Sequence, residues 1–148
     1  MIRVENFQQK YINISLILLV ILFSYAAIFK GFDMLLFQKQ MAESPLIPME
    51  LIQFLSYLIP IGEILICFLL IFDETRLIGF LMSYFTMLLF SVYLLALTHY
   101  FGHNLPCACG GILNKMGYTE HIIFNIFFTI LSLIALLVKF KLKKSNNT

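Results

Sequence analysis

The sequence predicts an all-α integral membrane protein, a single domain over residues 1–148 whose four spans form a helix bundle. The first observation is composition: 61% of the residues are hydrophobic and only 12% are charged, whereas soluble domains contain about half apolar and about a quarter charged residues. The second is four apolar runs close to the roughly 20 residues that cross a bilayer as a helix. The third is that these runs lack the two-residue alternation of membrane barrel strands.

The four predicted spans are almost free of charge. They cover residues 11–29, 51–72, 77–98 and 121–138. Backbone groups have no water to bond inside lipid, so each run is expected to be helical. Only the second contains a charged residue, Glu63. The first has a basic start but is longer than the core of a signal peptide, so we expect it to be retained as a span.

The segments between the spans predict how neighbouring helices are arranged. Residues 30–48 mix apolar side chains with Lys30, Asp33 and Lys39. This mixture favours a short amphipathic helix at the membrane interface, and a plain connecting loop is the alternative. The next connection is only "DETR", so the second and third spans are expected to form an antiparallel hairpin.

The distribution of lysine and arginine predicts the orientation in the membrane. An even number of spans places both termini on one side, and the side richer in lysine and arginine is cytoplasmic. The terminal side contains Arg3, Lys10, Arg76, Lys139, Lys141, Lys143 and Lys144, and the other side contains Lys30, Lys39 and Lys115. We therefore expect cytoplasmic termini and an outward-facing loop between the third and fourth spans. The net charge of +2 reflects this bias and predicts no nucleic-acid partner.

Two cysteines lie in the glycine-rich loop "LPCACGG" on the predicted outer side. Disulfides form and persist in that oxidising environment. A bond between Cys107 and Cys109 would close a tight ring, and strained, exposed disulfides are typical of labile or catalytic pairs. Gly110 and Gly111 allow the positive φ that such a turn demands. The segment therefore predicts a thiol–disulfide exchange site.

Two other interpretations of the cysteine pair remain. One is an inert local disulfide. The other is a zinc or Cu(I) site completed by His103 or His99, although the second pair of Cys or His ligands of a structural zinc site is missing, so no metal is predicted. Cys67, inside the second span, is expected to be a small buried apolar residue.

Glu63 is expected to be functional, because a carboxylate inside a membrane must be protonated or partnered. Its candidate partners are Lys30, Tyr57, Ser83 and Tyr84. Two roles are open for it, namely proton handling and hydrogen bonding that joins helices.

Polar side chains recur along the fourth span at three- and four-residue steps, which form one helical face: His121, Asn125, Thr129 and Ser132. In lipid this face must point into the bundle. His121 follows Cys109 by only a dozen residues, so it is a candidate to stabilise a thiolate or accept its proton. The alternative is a hydrogen bond from His121 to a backbone carbonyl.

The motifs "YAAIFKGFD", "PIGE" and "PCACGG" followed by "TEHIIFN" resemble the MauE/DoxX family of redox-associated membrane proteins. The resemblance covers nearly the whole chain. It implies a four-helix membrane bundle that works with periplasmic thioredoxin-like proteins; in methylamine-utilisation operons the named member supports maturation of a disulfide-rich dehydrogenase subunit. The family motif falls on Cys107, Cys109, Gly110, Gly111, His121, Asn125 and Glu63.

Together these observations predict a membrane thiol–disulfide redox protein. Cys107 and Cys109, assisted by His121, would exchange electrons with an extracytoplasmic thioredoxin-fold partner, and a membrane quinone is the candidate carrier. Two alternatives come from other classes of protein: a non-catalytic anchor or assembly factor, and a metal-handling protein.

Overall fold

Five α-helices make up the part of the chain that the computed structural model describes, residues 2–101 and 118–146, with side chains described for residues 6–100 and 119–144. In chain order they are α1 (Ile2–Phe32), α2 (Met34–Ala42), α3 (Met49–Ile71), α4 (Arg76–Phe101) and α5 (Tyr118–Asn146). No strand occurs within these two ranges. The prediction of an all-helical fold is confirmed.

Four of the helices are long and apolar enough to cross a membrane. The candidate spans are Asn6–Phe32, Met49–Ile71, Arg76–Tyr100 and Thr119–Lys144. Even the shortest has 23 residues, which at about 1.5 Å per residue exceeds a hydrocarbon core of about 30 Å. The helices extend beyond the predicted apolar runs, because the polar residues at their ends continue the same backbone hydrogen-bond pattern.

The four long helices form a ring in which α1 packs against α3 and α5, and α4 packs against the same two helices. α1 and α3 are antiparallel, because a later position in α1 contacts an earlier position in α3. Ser24 Oγ lies 3.4 Å from Cys67 Sγ, and Lys30, further along α1, pairs with Glu63, which precedes Cys67 in α3. Cys67 is buried, as predicted. The fully buried apolar core of the ring comprises Ile12, Leu19, Phe23, Leu70, Phe80 and Ala135.

α2 confirms the short helix predicted after the first span. The Asp33 carboxylate caps it by accepting a hydrogen bond from the Leu36 amide at 3.1 Å. α2 packs on α3, with Phe37 and Met41 buried against Ile52.

Two side-chain hydrogen bonds attach α2 and its connection to the bundle. Gln38 Nε2 donates to Ser56 Oγ of α3 at 3.0 Å, and Tyr93 of α4 donates to Ser44 Oγ at 2.7 Å. α2 is therefore joined to the long helices through both apolar and polar contacts.

The hairpin between α3 and α4 is closed by side chains of its short connection. Arg76 donates to the Leu70 carbonyl through Nε at 3.0 Å and to the Ile71 carbonyl through Nη2 at 3.1 Å. It also pairs with Asp73 at 2.5 Å, and Lys139 of α5 approaches the same carboxylate at 3.3 Å. The final carbonyls of α3 thus receive donors that its own backbone lacks.

Gly79 allows the two helices of this hairpin to approach each other closely. A Cβ at this position would lie 2.8 Å from Leu70 N and 2.9 Å from Leu69 C. Both are backbone atoms of α3, which cannot rotate away as a side chain would.

Substitution Gly79→Ala is therefore expected to separate α3 from α4 and to lower the free energy of unfolding by about 1–3 kcal/mol, the usual range for overpacking. Circular dichroism of the protein in detergent during denaturant titration measures this change. Gly62→Ala is the matched control, since a Cβ there meets nothing within 4 Å. Equal stability of the two variants would contradict the close approach.

Candidate functional site

A buried ion pair joins the end of α1 to the middle of α3. Lys30 Nζ donates a hydrogen bond to Glu63 Oε1. Lys30 is 2% exposed and Glu63 is 3% exposed, so both charges are withdrawn from solvent and lipid. Among the four candidate partners that the sequence offered for Glu63, the structure places Lys30 against it.

Two aromatic rings from other helices surround the Lys30 ammonium. Its Nζ lies 5.6 Å from the ring centroid of Phe37 in α2 and 5.3 Å from that of Phe90 in α4. Cations within about 6 Å of an aromatic face are attracted by the ring quadrupole, most strongly where water is excluded. Lys30 is therefore held by three helices besides its own.

Beside the ion pair lies a cavity of about 40 Å³ between α1, α3, α4 and α5. Its polar lining consists of Lys30, Glu63, His121 and Asn125. Its apolar lining consists of Leu22, Phe23, Ala26, Met87, Phe90 and Phe124. Four residues singled out from the sequence, on three different helices, therefore meet at one cavity.

Two polar atoms at this cavity are buried without a hydrogen-bond partner among the residues that the structure describes. They are Glu63 Oε2 and Asn125 Nδ2. Asn125 is only 5% exposed, so solvent at the protein surface does not satisfy its amide. An unsatisfied buried polar group costs about 1–3 kcal/mol. Two such groups at one cavity are therefore unusual where the residues serve only to stabilise the fold.

The polar face predicted for α5 points into the bundle. His121, Asn125 and Ser132 are buried. Thr129 Oγ1 lies 3.4 Å from Ser91 Oγ, which links α5 to α4. The face thus begins at the cavity and continues as a helix–helix contact.

The cysteine pair and its glycines lie outside the described residues, namely Cys107, Cys109, Gly110 and Gly111. The residues that flank this segment are described: α4 ends at Phe101 and α5 begins at Tyr118. The segment is therefore attached to the end of α5 that bears His121. The catalytic roles predicted for Cys107, Cys109 and His121 stay predictions.

The alternative metal site, two cysteines completed by His103 or His99, also lies mostly outside the described residues, because of these four only His99 is described. Within the side chains at 6–100 and 119–144, no group of three or more His, Cys, Asp and Glu residues is arranged to hold a metal ion.

Sequence reasoning did not identify the aromatic contacts of Lys30. Phe90 is one of 16 phenylalanines in the chain, and nothing in its sequence neighbourhood distinguishes it. For Lys30 a signal exists, since a cation closing an apolar run beside aromatics ("YAAIFKGFD") pairs readily with an acid on the next span.

Removing one charge of the ion pair is expected to destabilise the protein strongly. Lys30→Met or Glu63→Leu should each lower the free energy of unfolding by about 3–5 kcal/mol, because the remaining charge stays buried and unpaired. The double variant should lose clearly less than the sum of the two. Denaturant titration in detergent measures all three values.

The control for this cycle is Asp73→Asn. The Asp73 side chain is 73% exposed, so its ion pairs are worth at most about 1 kcal/mol. Additive losses in the double variant would show that Lys30 and Glu63 do not interact in the folded protein.

Comparison with known proteins agrees with the architecture and the motifs. A family model described as methylamine utilisation protein MauE matches residues 8–138. The match includes α2, α3 and α4 in full, most of α1 and α5, and the segment with Cys107 and Cys109. Neither a curated protein nor a solved structure matches the chain. Because the family match extends over most of the 148 residues, this four-span helical membrane protein belongs to the MauE family.

Proposed function

We propose that this MauE family member is a membrane thiol–disulfide redox protein, in which Cys107 and Cys109 exchange a disulfide with an extracytoplasmic thioredoxin-fold partner. The observation that supports this function best is the location of the buried polar cavity. His121 lines it within the first two turns of α5, immediately after the cysteine segment in sequence. A proton-handling group thus follows the second cysteine by about a dozen residues.

The exchange consists of two thiolate attacks. A thiolate of this chain attacks a sulfur of the partner's disulfide, so that a mixed disulfide forms and one partner thiolate leaves. The second cysteine of the pair then attacks its neighbour's sulfur in the mixed disulfide. This step releases the reduced partner and leaves Cys107 and Cys109 joined by a disulfide. Two electrons pass to the partner, and the reverse sequence returns them.

His121 assists by favouring the thiolate or accepting its proton. Thiolates are stabilised beside an imidazolium and at helix N-termini, and His121 lies near the N-terminus of α5. Imidazole is also the side chain that changes charge near neutral pH. Glu63 of α3 and Asn125, one turn along α5 from His121, line the same cavity and are proposed to support the ring.

The proposed orientation has cytoplasmic termini and a periplasmic cysteine segment in a bacterial inner membrane. The burial of Lys30 supports it. Lys30 belongs to the interior ion pair, so it no longer counts as a loop charge. Only Lys39 and Lys115 then remain on the proposed outer side, which strengthens the lysine and arginine bias toward the termini.

A quinone remains the candidate membrane carrier, but the described cavity is too small for its ring. The cavity holds about 40 Å³, whereas a cavity that binds benzene has about 150 Å³. A quinone would therefore have to contact another surface of the protein.

Single substitutions Cys107→Ser and Cys109→Ser are expected to trap the exchange. One of them should accumulate a mixed disulfide with a thioredoxin-fold protein, because the resolving thiol is missing. Non-reducing electrophoresis of acid-quenched cells, followed by mass spectrometry of the shifted band, identifies the partner. Cys67→Ser is the matched control, since its thiol is buried against Ser24 and Val20.

A different result would support the anchor or assembly-factor alternative. Both cysteines would then stay permanently joined in the unaltered protein, and the double variant would keep full function. Loss of a bound metal in each single variant would support the metal-handling alternative.

The role of His121 is tested by the pH dependence of thiol alkylation. In His121→Asn the pH of half-maximal alkylation of the reduced pair should rise toward the value of about 8.5 for a free thiol, because a group that favours the thiolate is gone. His99→Asn is the control, since His99 is exposed at the same end of the bundle. An unchanged pH profile in His121→Asn would limit His121 to a structural role.

A further inference from the structure

The cavity beside the ion pair has two hydrogen-bonding atoms that require a ligand. Glu63 Oε2 is an acceptor, and Asn125 Nδ2 is a donor. Both are buried and lack a partner among the described residues, and both side chains line the same cavity. Native proteins satisfy such atoms with ordered water.

The size of the cavity selects the ligand. One water molecule needs at least about 10–15 Å³ of cavity volume and takes about 30 Å³ in the liquid, so about 40 Å³ holds roughly one to three of them. An organic ring does not fit. The polar atoms also suit water, which accepts from the Asn125 amide and donates to the Glu63 carboxylate.

The same water molecules would reach a second titratable side chain. His121 lines the cavity together with Glu63 and Asn125. The other elements that face Glu63 contribute one further charged group, Lys30 of α1, and the apolar Met87 and Phe90 of α4. Three titratable groups line the cavity, and Lys30 is the cation of the ion pair. Glu63 and His121 are therefore the pair between which we expect water to pass a proton.

Lys30 is held in a way that tolerates a neutral Glu63. When the carboxylate is protonated, the ammonium keeps its contacts with the rings of Phe37 and Phe90, and such contacts gain strength when desolvated. A protonated Glu63 also keeps a carbonyl oxygen that can accept a hydrogen bond from the ammonium, an acceptor that the substitution Glu63→Leu removes. Protonation of Glu63 therefore leaves Lys30 a hydrogen-bond partner, whereas Glu63→Leu leaves its charge buried and unpaired.

We propose that the cavity is a hydrated proton-exchange site, in which one to three water molecules join Glu63, Asn125 and His121, and Glu63 takes up and releases a proton. The hydration of the cavity and the proton exchange are argued from the geometry of the cavity alone. The role of this exchange in thiol chemistry rests on the proposed function. A thiolate released by disulfide exchange takes a proton from His121, water passes the Glu63 proton to His121, and Glu63 regains a proton from the outer aqueous phase.

Infrared spectroscopy of the full chain in lipid vesicles tests the site directly. A carboxylic acid band that grows as pH falls, and that is absent in Glu63→Gln, would report protonation of Glu63. Transfer into D2O should shift this band within minutes, because water in the cavity exchanges its protons. A Glu63 that stays ionised at every pH at which the protein is folded, or a band that does not exchange, overturns the proposal.

Variants of α5 then test the water. Asn125→Leu removes the donor and fills the cavity, so exchange of the Glu63 proton should slow by about tenfold or more, as expected when a buried hydrogen bond is lost. Ser132→Ala is the matched control: Ser132 is equally buried on the same helix face but does not line the cavity. Equal exchange in both variants overturns the water link. If Asn125→Leu does not fold, the D2O exchange of the Glu63 band in the unaltered protein decides whether water reaches the cavity.

The same measurement in Cys107→Ser/Cys109→Ser separates this proposal from the thiol function. The Glu63 band and its exchange should persist without the cysteines. If the cysteines trap no partner while the band titrates, the thiol function fails and the proton site stands. If a partner is trapped while Glu63 does not titrate, the reverse holds.

Discussion

The burial of two opposite charges, Lys30 and Glu63, is the constraint on which the arrangement of the helices depends. Neither side chain is stable alone in an apolar bundle, because an isolated charge in a membrane is costly. Their contact fixes how far α1 is shifted along α3, and this register also places Ser24 beside Cys67. The two carboxylate oxygens differ in their contacts: Oε1 binds the ammonium, and Oε2 has no hydrogen-bond partner among the described residues.

The remaining helices complete the surroundings of this pair. α2 and α4 contribute the aromatic rings around Lys30, and α5 contributes the polar residues on the far side of the cavity. The hydrogen bond between Tyr93 and Ser44 attaches the connection that follows α2 to α4. The cavity is therefore formed by all four long helices, and α2 adds the ring of Phe37 beside Lys30.

Much of this fold can be predicted from the sequence, because lipid leaves the backbone few alternatives. The four spans follow from hydropathy, and α2 follows from its mixed composition. Glu63 stands out as the only charged residue in its apolar run. Its partner cannot be identified from the sequence, because the choice between Lys30 and the hydroxyl side chains depends on the register of two helices. The role of Phe90 depends on how α4 packs, and no local pattern encodes that. The cysteine pair is recognisable from chemistry and the family motif alone.

The location of the two charges on different spans has a consequence for biogenesis. Lys30 and Glu63 lie on helices that leave the ribosome one after the other, with α2 synthesised between them. A charged residue at the centre of an isolated inserting helix costs about 2.5–3.5 kcal/mol. The apolar part of α3 contains no opposite charge that could offset the charge of Glu63. The ion pair can therefore form only once α3 has followed α1 into the membrane, so it joins two spans that are synthesised in succession.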